Sequence, residues 1–168
     1  MSITVFNSGY LFTEDRLDYV VKYCYFKSLL TGIGIPERER VYKWHIQHRT
    51  GGNEPRSPKN CIGDYIKGCA DLLNSLQQYR FNGKYYIKIG PNKLLVSSGA
   101  HRISATFALG IPIIVDFVPR NGKNYWDYNW FVEKGMCQDD LDTLKSDWES
   151  VKELIRYEDP IEHTVGLL

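Results

Sequence analysis

Ser97, Ser98, Gly99, Ala100, His101 and Arg102 follow one another between two apolar runs, Leu94-Leu95-Val96 and Ile103 to Leu109. Two hydroxyls, a glycine, an imidazole and a guanidinium thus converge on a strand-to-helix turn, a combination suited to holding an anion such as phosphate. The first turn of a helix has N–H groups without intrahelical acceptors and carries about half a positive charge. Gly99 lets the backbone approach a ligand, and His101 and Arg102 would add charge-assisted bonds, with Arg102 able to grip two oxygens. The plainer alternative makes Ser98 a helix cap, Gly99 a turn residue, and His101 and Arg102 members of a solvated face.

The elements that must position this turn follow from periodicity. Apolar residues from Glu14 to Leu30 recur at near-helical spacing behind Thr13, and Pro36 opens a second, more polar helix running through Ile46. Arg49 precedes a loop rich in glycine and proline, Thr50 to Pro58. From Lys59 to Tyr79 one apolar stripe (Ile62, Tyr65, Ile66, Cys69, Leu72, Leu73, Leu76) marks a long helix. Tyr85 to Ile89 and Leu94 to Val96 read as strands of a hairpin around Gly90-Pro91-Asn92, the next helix closes at Gly110, and Ile113 to Val118 is a third strand. Helices over Tyr125 to Val132 and Asp139 to Arg156 complete an α/β (α+β) fold, a small mixed sheet with surrounding helices.

The 168 residues fit a single domain. With 43% hydrophobic and 24% charged residues and no apolar run of membrane-spanning length, a soluble chain is expected, and its start, which lacks secretory features, points to the cytoplasm. A formal net charge of +1 offers no field for non-specific DNA binding. Cys24, Cys61, Cys69 and Cys137 lack zinc-ligand spacing and are read as reduced thiols, with Cys69 on the apolar helix face.

Asn53-Glu54-Pro55-Arg56, the helix ending Leu72-Leu73-Asn74-Ser75-Leu76, the strand pair, and Gly99-Ala100-His101-Arg102-Ile103-Ser104-Ala105 through Leu109-Gly110 resemble the ParB/sulfiredoxin-like superfamily. The likeness covers residues 53–118 as a nucleotide-binding core, flanked by an N-terminal helical extension over 1–52 and a C-terminal one over 119–168. It implies a cleft in which the Gly-x-His-Arg turn (Ser97, Ser98, Gly99, Ala100, His101, Arg102) contacts nucleotide phosphates, with Arg56 and Lys59 facing them from the mouth of the long helix. Members include sulfiredoxin, which uses ATP, ParB partition proteins, which use CTP, free serine kinases and some nucleases. Ala100 stands where sulfiredoxin needs a cysteine, which excludes that reaction. ParB partition proteins read DNA through a downstream helix-turn-helix, whereas the tail here is aromatic and acidic, with Asp139, Asp140 and Asp142, which argues against DNA as a partner. Kinase-like members often carry an acidic residue where Ser97 or Ser98 stands, so the metal ligands and the catalytic base are unassigned.

The resulting expectation is a phosphotransferase using ATP, ADP or CTP, with magnesium, on a small hydroxylated acceptor. The competing reading is a non-catalytic nucleotide-binding module that switches a protein or nucleic-acid interaction. A nuclease fits less well, because the chain lacks a clear carboxylate cluster and a basic face. His101 and His45 are the candidate catalytic residues. His45, between Trp44 and Ile46, is either a base for the acceptor hydroxyl or a partly buried histidine satisfied by a carbonyl. His48 shares its face, but His-x-x-His without a third ligand is weak for metal. Glu54, Asp64 and Asp116 are weaker acidic candidates. The Tyr125 to Phe131 segment either packs its rings on the core or offers a sugar- or base-stacking surface. Its pattern is similar to ParB-like domains among polysaccharide-assembly proteins, hence a sugar as one possible acceptor. The sequence assigns no oligomeric state.

Overall fold

The computed structural model describes residues 3–52, 58–81, 86–90, 95–96, 98–119, 126–156 and 163–164. In chain order these form β1 (Ile3–Phe6), a 3-10 turn (Ser8–Leu11), α1 (Leu17–Thr31), α2 (Ile35–Thr50), α3 (Ile62–Tyr79), β2 (Ile87–Gly90), β3 (Leu95–Val96), α4 (Ala100–Leu109), β4 (Ile113–Phe117), α5 (Tyr128–Glu133), α6 (Gln138–Arg156) and β5 (His163–Thr164).

The sheet order is β3-β2-β4-β1-β5. β2 and β4 are parallel, and the chain passes between them through β3 and α4; the other pairs are antiparallel. Ile87 and Ile89 are buried while Lys88 between them is exposed, and Ile113 and Val115 are buried beside them, so one sheet face supplies core. The architecture is therefore mixed α/β with a small mixed sheet, as the sequence indicates. Two strands were not foreseen. Residues 1–52, read as a helical extension, contribute β1, and 119–168 contribute β5, so both flanks join the sheet rather than only adding helices.

Helix α1 is also more central than its expected single apolar face suggests. Tyr19, Val20, Val21, Tyr25 and Phe26 are buried around much of its circumference, together with Asp18 and Lys22. It packs against α4, α2 and α6. Helix α3 follows its stripe, burying Tyr65, Cys69, Leu73 and Leu76. Asp64 closes its start as part of a capping box, accepting from the N–H groups of Asn60 (2.7 Å) and Cys61 (3.2 Å), which hold its carboxyl below its ordinary range. Arg40 donates to Asp140 at 2.6 Å and Arg38 pairs with Asp147 at 2.7 Å, clamping α2 to α6. Among the described residues no helix is long and apolar enough to cross a membrane.

Candidate functional site

The chain enters α4 through Gly99 at φ +107°, a left-handed conformation that side-chain-bearing residues rarely adopt. Ile103 N–H donates to Gly99 O at 2.9 Å, so the N–H groups earlier in this turn have no intrahelical acceptor. Gly99, the N-cap residue, has no side chain to cap the helix, and Ser98 is exposed. The turn thus keeps the electropositive start of a ten-residue helix. Arg102 folds back along it: a Cβ built on Gly99 would lie 3.5 Å from Arg102 Nη2.

This turn forms one wall of a cleft of about 440 Å³, within the size range of small-molecule sites. Lys59, Gly68 and Leu72 line it from the α3 side, and Arg16, Arg49 and Trp126 complete it from the segments before α1, at the end of α2 and before α5. Lys59 lies along Gly68, its Cε an ordinary contact distance of 3.6 Å from where a Cβ would stand. Four cationic side chains, Arg16, Arg49, Lys59 and Arg102, therefore surround the helix start. No Asp or Glu is among the described residues that line the cleft.

His101, on the same wall, is held from behind. Tyr42, fully buried on α2, has its Oη 2.7 Å from His101 Nε2, and Cys69 Sγ lies 3.2 Å from that Oη. Burial pushes the Cys69 thiol up to about 11, so it stays protonated and donates to Tyr42 Oη. The direction of the Tyr42–His101 bond follows the imidazole tautomer; with Tyr42 O–H donating to Nε2, the imidazole proton is on Nδ1. Burial, then the nearby Lys22, Lys59 and Arg49 charges, hold His101 well below its ordinary value and hence neutral. It suits a hydrogen-bond donor to an oxyanion better than a base.

Beneath the far wall lies a buried charge network. Arg16 donates to Asp18 through Nε (2.8 Å) and Nη2 (3.2 Å), and Lys22 Nζ lies 3.0 Å from Asp18 Oδ2 and 3.3 Å from His45 Nε2. Burial alone would raise the Asp18 carboxyl, but Lys22 and Arg16 outweigh it and hold the group well below its usual range. Burial lowers the Lys22 ammonium to about 8 against the opposing pull of Asp18. The Arg16 guanidinium sits 3.8 Å from the centre of the Tyr19 ring and 5.1 Å from that of Trp126, and Arg49 lies 6.0 Å from Trp126. Trp126 itself is pinned by backbone bonds: its O accepts from Leu17 N–H (3.0 Å) and its N–H donates to Asp15 O (3.1 Å).

Of the residues singled out in sequence, Ser98, Gly99, Ala100, His101, Arg102 and Lys59 line this cleft. Ser97, Arg56 and Glu54 lie outside the described residues. His45 does not reach the cleft. It is fully buried, packs against Trp130 and Phe131, and is held well below its ordinary value first by burial and then by Lys22; its Nδ1 has no hydrogen-bond partner among the described residues. His48 is exposed and stacked on Trp44, with Nδ1 2.8 Å from Trp44 O, so the two histidines do not form a pair. Asp116 is buried in β4 away from the cleft lining. In the tail, α5 begins at Tyr128 rather than Tyr125, because Asp127 caps it by accepting from Trp130 N–H at 2.9 Å. Phe131 enters the core while Trp126 stays outside the helix and faces the cleft.

Arg16, Arg49 and Tyr42 were not among the expected site residues, whereas Trp126 belongs to the ring-rich segment read as either core packing or a stacking surface. Arg49 borders the polar loop and is the one with a local signal; the others depend on contacts between distant segments. A magnesium ion held by protein carboxylates does not fit the described lining, which meets negative charge with cations instead, and no group of three or more His, Cys, Asp or Glu suited to a metal occurs among the described residues. Comparison with protein-family models finds no match, and no curated protein or solved structure matches the chain.

Proposed function

We propose that this protein binds a nucleoside di- or triphosphate such as ATP, ADP or CTP in the cleft at the start of α4, and uses it as phosphoryl donor to a small hydroxylated acceptor, a sugar being one candidate. The observation that carries the reading is the convergence of Arg16, Arg49, Lys59 and Arg102 on a helix N-terminus whose N-cap is a glycine, with no carboxylate in the described lining. The resemblance of residues 53–118 to ParB/sulfiredoxin-like domains supports it from sequence. Phosphoryl transfer depends mainly on positioning and on neutralising charge, and this wall supplies both through Arg102, the first-turn N–H groups and a neutral His101 donating from Nδ1. No step is assigned to magnesium.

One observation favours a second reading, a nucleotide-responsive binding module: His45 is fully buried away from the cleft, and His101 Nε2 is already engaged by Tyr42 Oη. Thermal-shift and calorimetric titration with ATP, ADP, CTP and GTP, with and without magnesium, tests the shared premise, since a ligand that binds only the folded state raises its stability. Absence of any response would overturn both readings. With a binder in hand, transfer of labelled phosphate to a panel of sugars and other alcohols supports the phosphotransferase, and binding without labelling of any acceptor supports the module.

A further inference from the structure

Trp126 is set apart from the other rings of its segment. Phe131 is fully buried and Trp130 packs on it at 4.9 Å between ring centres, whereas Trp126 is half-buried, stands ahead of α5 and lines the cleft. Its position is set by the backbone. Its N–H and O bond to Asp15 and Leu17, on either side of Arg16, and Arg16 and Trp126 pair as an isolated parallel bridge. The Arg16 guanidinium, 5.1 Å from the Trp126 ring centre, is fixed as well, with Nε and Nη2 on Asp18 and the Tyr19 ring centre at 3.8 Å. Indole and guanidinium are thus two flat groups held at the cleft before any ligand arrives, so a ligand that covers them loses little affinity to ordering the protein.

Flat heterocycles stack on tryptophan rings and on arginine planes. A sugar can also lie on a ring, but its hydroxyls need acceptors to hold them, and the described lining contains no Asp or Glu. Its polar side chains are mainly donors, Arg16, Lys59, His101 and Arg102 among them, which match the acceptor nitrogens and oxygens on the edges of nucleobases. We infer that the Arg16–Trp126 pair is the nucleobase platform of the cleft, with the phosphates at the α4 N-terminus, so that stacking holds the base and a purine binds more tightly than a pyrimidine. The inference rests on the nucleotide reading above and adds where the base lies.

Calorimetry of ATP, CTP, tripolyphosphate and a panel of free sugars on the intact chain, Trp126→Ala and Trp126→Phe tests this, with proton spectra following the adenine ring protons of ATP. In the unmodified protein ATP should bind about tenfold or more tightly than tripolyphosphate, with CTP between them, as expected for a stacked base. The indole ring current should move the adenine resonances upfield. Trp126→Ala should remove most of the advantage of ATP and the upfield shift while changing tripolyphosphate binding much less, and Trp126→Phe should keep part of both. Unfolding midpoints establish that the variants remain folded; should Trp126→Ala not fold, Trp126→Phe and the adenine resonances on the unmodified protein decide. An ATP affinity no greater than that of tripolyphosphate, adenine resonances that do not move upfield, or a Trp126→Ala loss equal for the two ligands overturns the platform and leaves the phosphate site standing. A Trp126→Ala loss confined to free sugars gives the ring to the acceptor and also overturns it. Binding of neither nucleotide nor tripolyphosphate overturns the platform together with the nucleotide reading.

Discussion

Tyr42 Oη stands 2.7 Å from His101 Nε2, a bond that ties α2 to the first turn of α4 and, with the tyrosine donating, leaves the imidazole proton on Nδ1. Tyr42 is itself stacked on Tyr25 at 4.6 Å between ring centres and receives the Cys69 thiol, so its hydroxyl has little freedom to turn away.

Tyr42→Phe should release that choice. In nitrogen-15 spectra the unmodified protein should show His101 as the Nδ1-protonated neutral ring, whereas the variant should show a mixture of tautomers and a stability loss of about 1 kcal/mol. An unchanged His101 spectrum would refute the assignment of roles along the Cys69, Tyr42 and His101 chain.

Arg102→Met should weaken phosphate binding by about 1.5–3 kcal/mol if its guanidinium makes a charge-assisted bond to the ligand. Because Arg102 lies at the cleft edge beside Gly99, the unfolding midpoint should change little by comparison. Calorimetry with the tightest nucleotide measures the first quantity and urea unfolding the second; equal affinities in variant and parent would remove Arg102 from the site.

Gly99→Ala would force a side chain into φ +107°, at a cost of roughly 1–2 kcal/mol, while the added methyl would meet Ile87 at an ordinary contact distance of 3.5 Å. The backbone is expected to relax by moving the α4 entry, so ligand affinity should fall along with stability. A variant as stable as the parent would show that the left-handed entry is not required.

Asp18→Ala removes the carboxylate between Arg16 and Lys22 and leaves two like charges close together in a largely buried setting. A loss of about 3–5 kcal/mol is expected, as when one partner of a buried ion pair is deleted. Urea denaturation checks this; a loss under 1 kcal/mol would mean that the network rearranges freely.

Acid should weaken the fold through the histidines that burial holds low. Folded His45 is held below its ordinary 6.5 by burial and by Lys22, so below about pH 6.5 the unfolded chain takes up a proton that the folded one does not. Stability present above that pH is then lost as pH falls, by up to about 1.4 kcal/mol per pH unit from this group. Asp18, also depressed, adds a loss of the same sign at lower pH, below its ordinary 3.8. His101, likewise held low, adds a slope of the same sign, so stability of His45→Gln measured between pH 7 and 5 should show a shallower slope than the parent, and an identical slope would assign the effect elsewhere.

Much of the frame was legible in the order of residues. The stripe from Tyr65 to Leu76, Gly110 as the end of α4 and the β-branched run of β4 each express a local rule of periodicity or turn chemistry, and each appears within a few residues of its expected place. β1 escaped notice because Ile3 to Phe6 is four residues long and becomes a strand only by pairing with β4, more than a hundred positions away. The site divides in the same manner. Ser98 to Arg102 announce themselves by sitting together on a strand-to-helix turn, whereas Arg16, Arg49 and Trp126 share no stretch of chain.

His45 shows the limit most sharply. Beside Trp44 and Ile46 it has the composition of a base in a half-apolar setting, and only the packing of α2 on α1 and α5 reveals that it points to Lys22 and two aromatic rings. The sequence by itself determined where a helix N-terminus would present Gly99, His101 and Arg102, because backbone geometry and periodicity are local. The tertiary structure alone decided what faces that turn, since charge complementarity and burial depend on which distant segments meet: it brought Arg16 and Arg49 to the cleft, put Tyr42 behind His101, and withdrew His45 into the core.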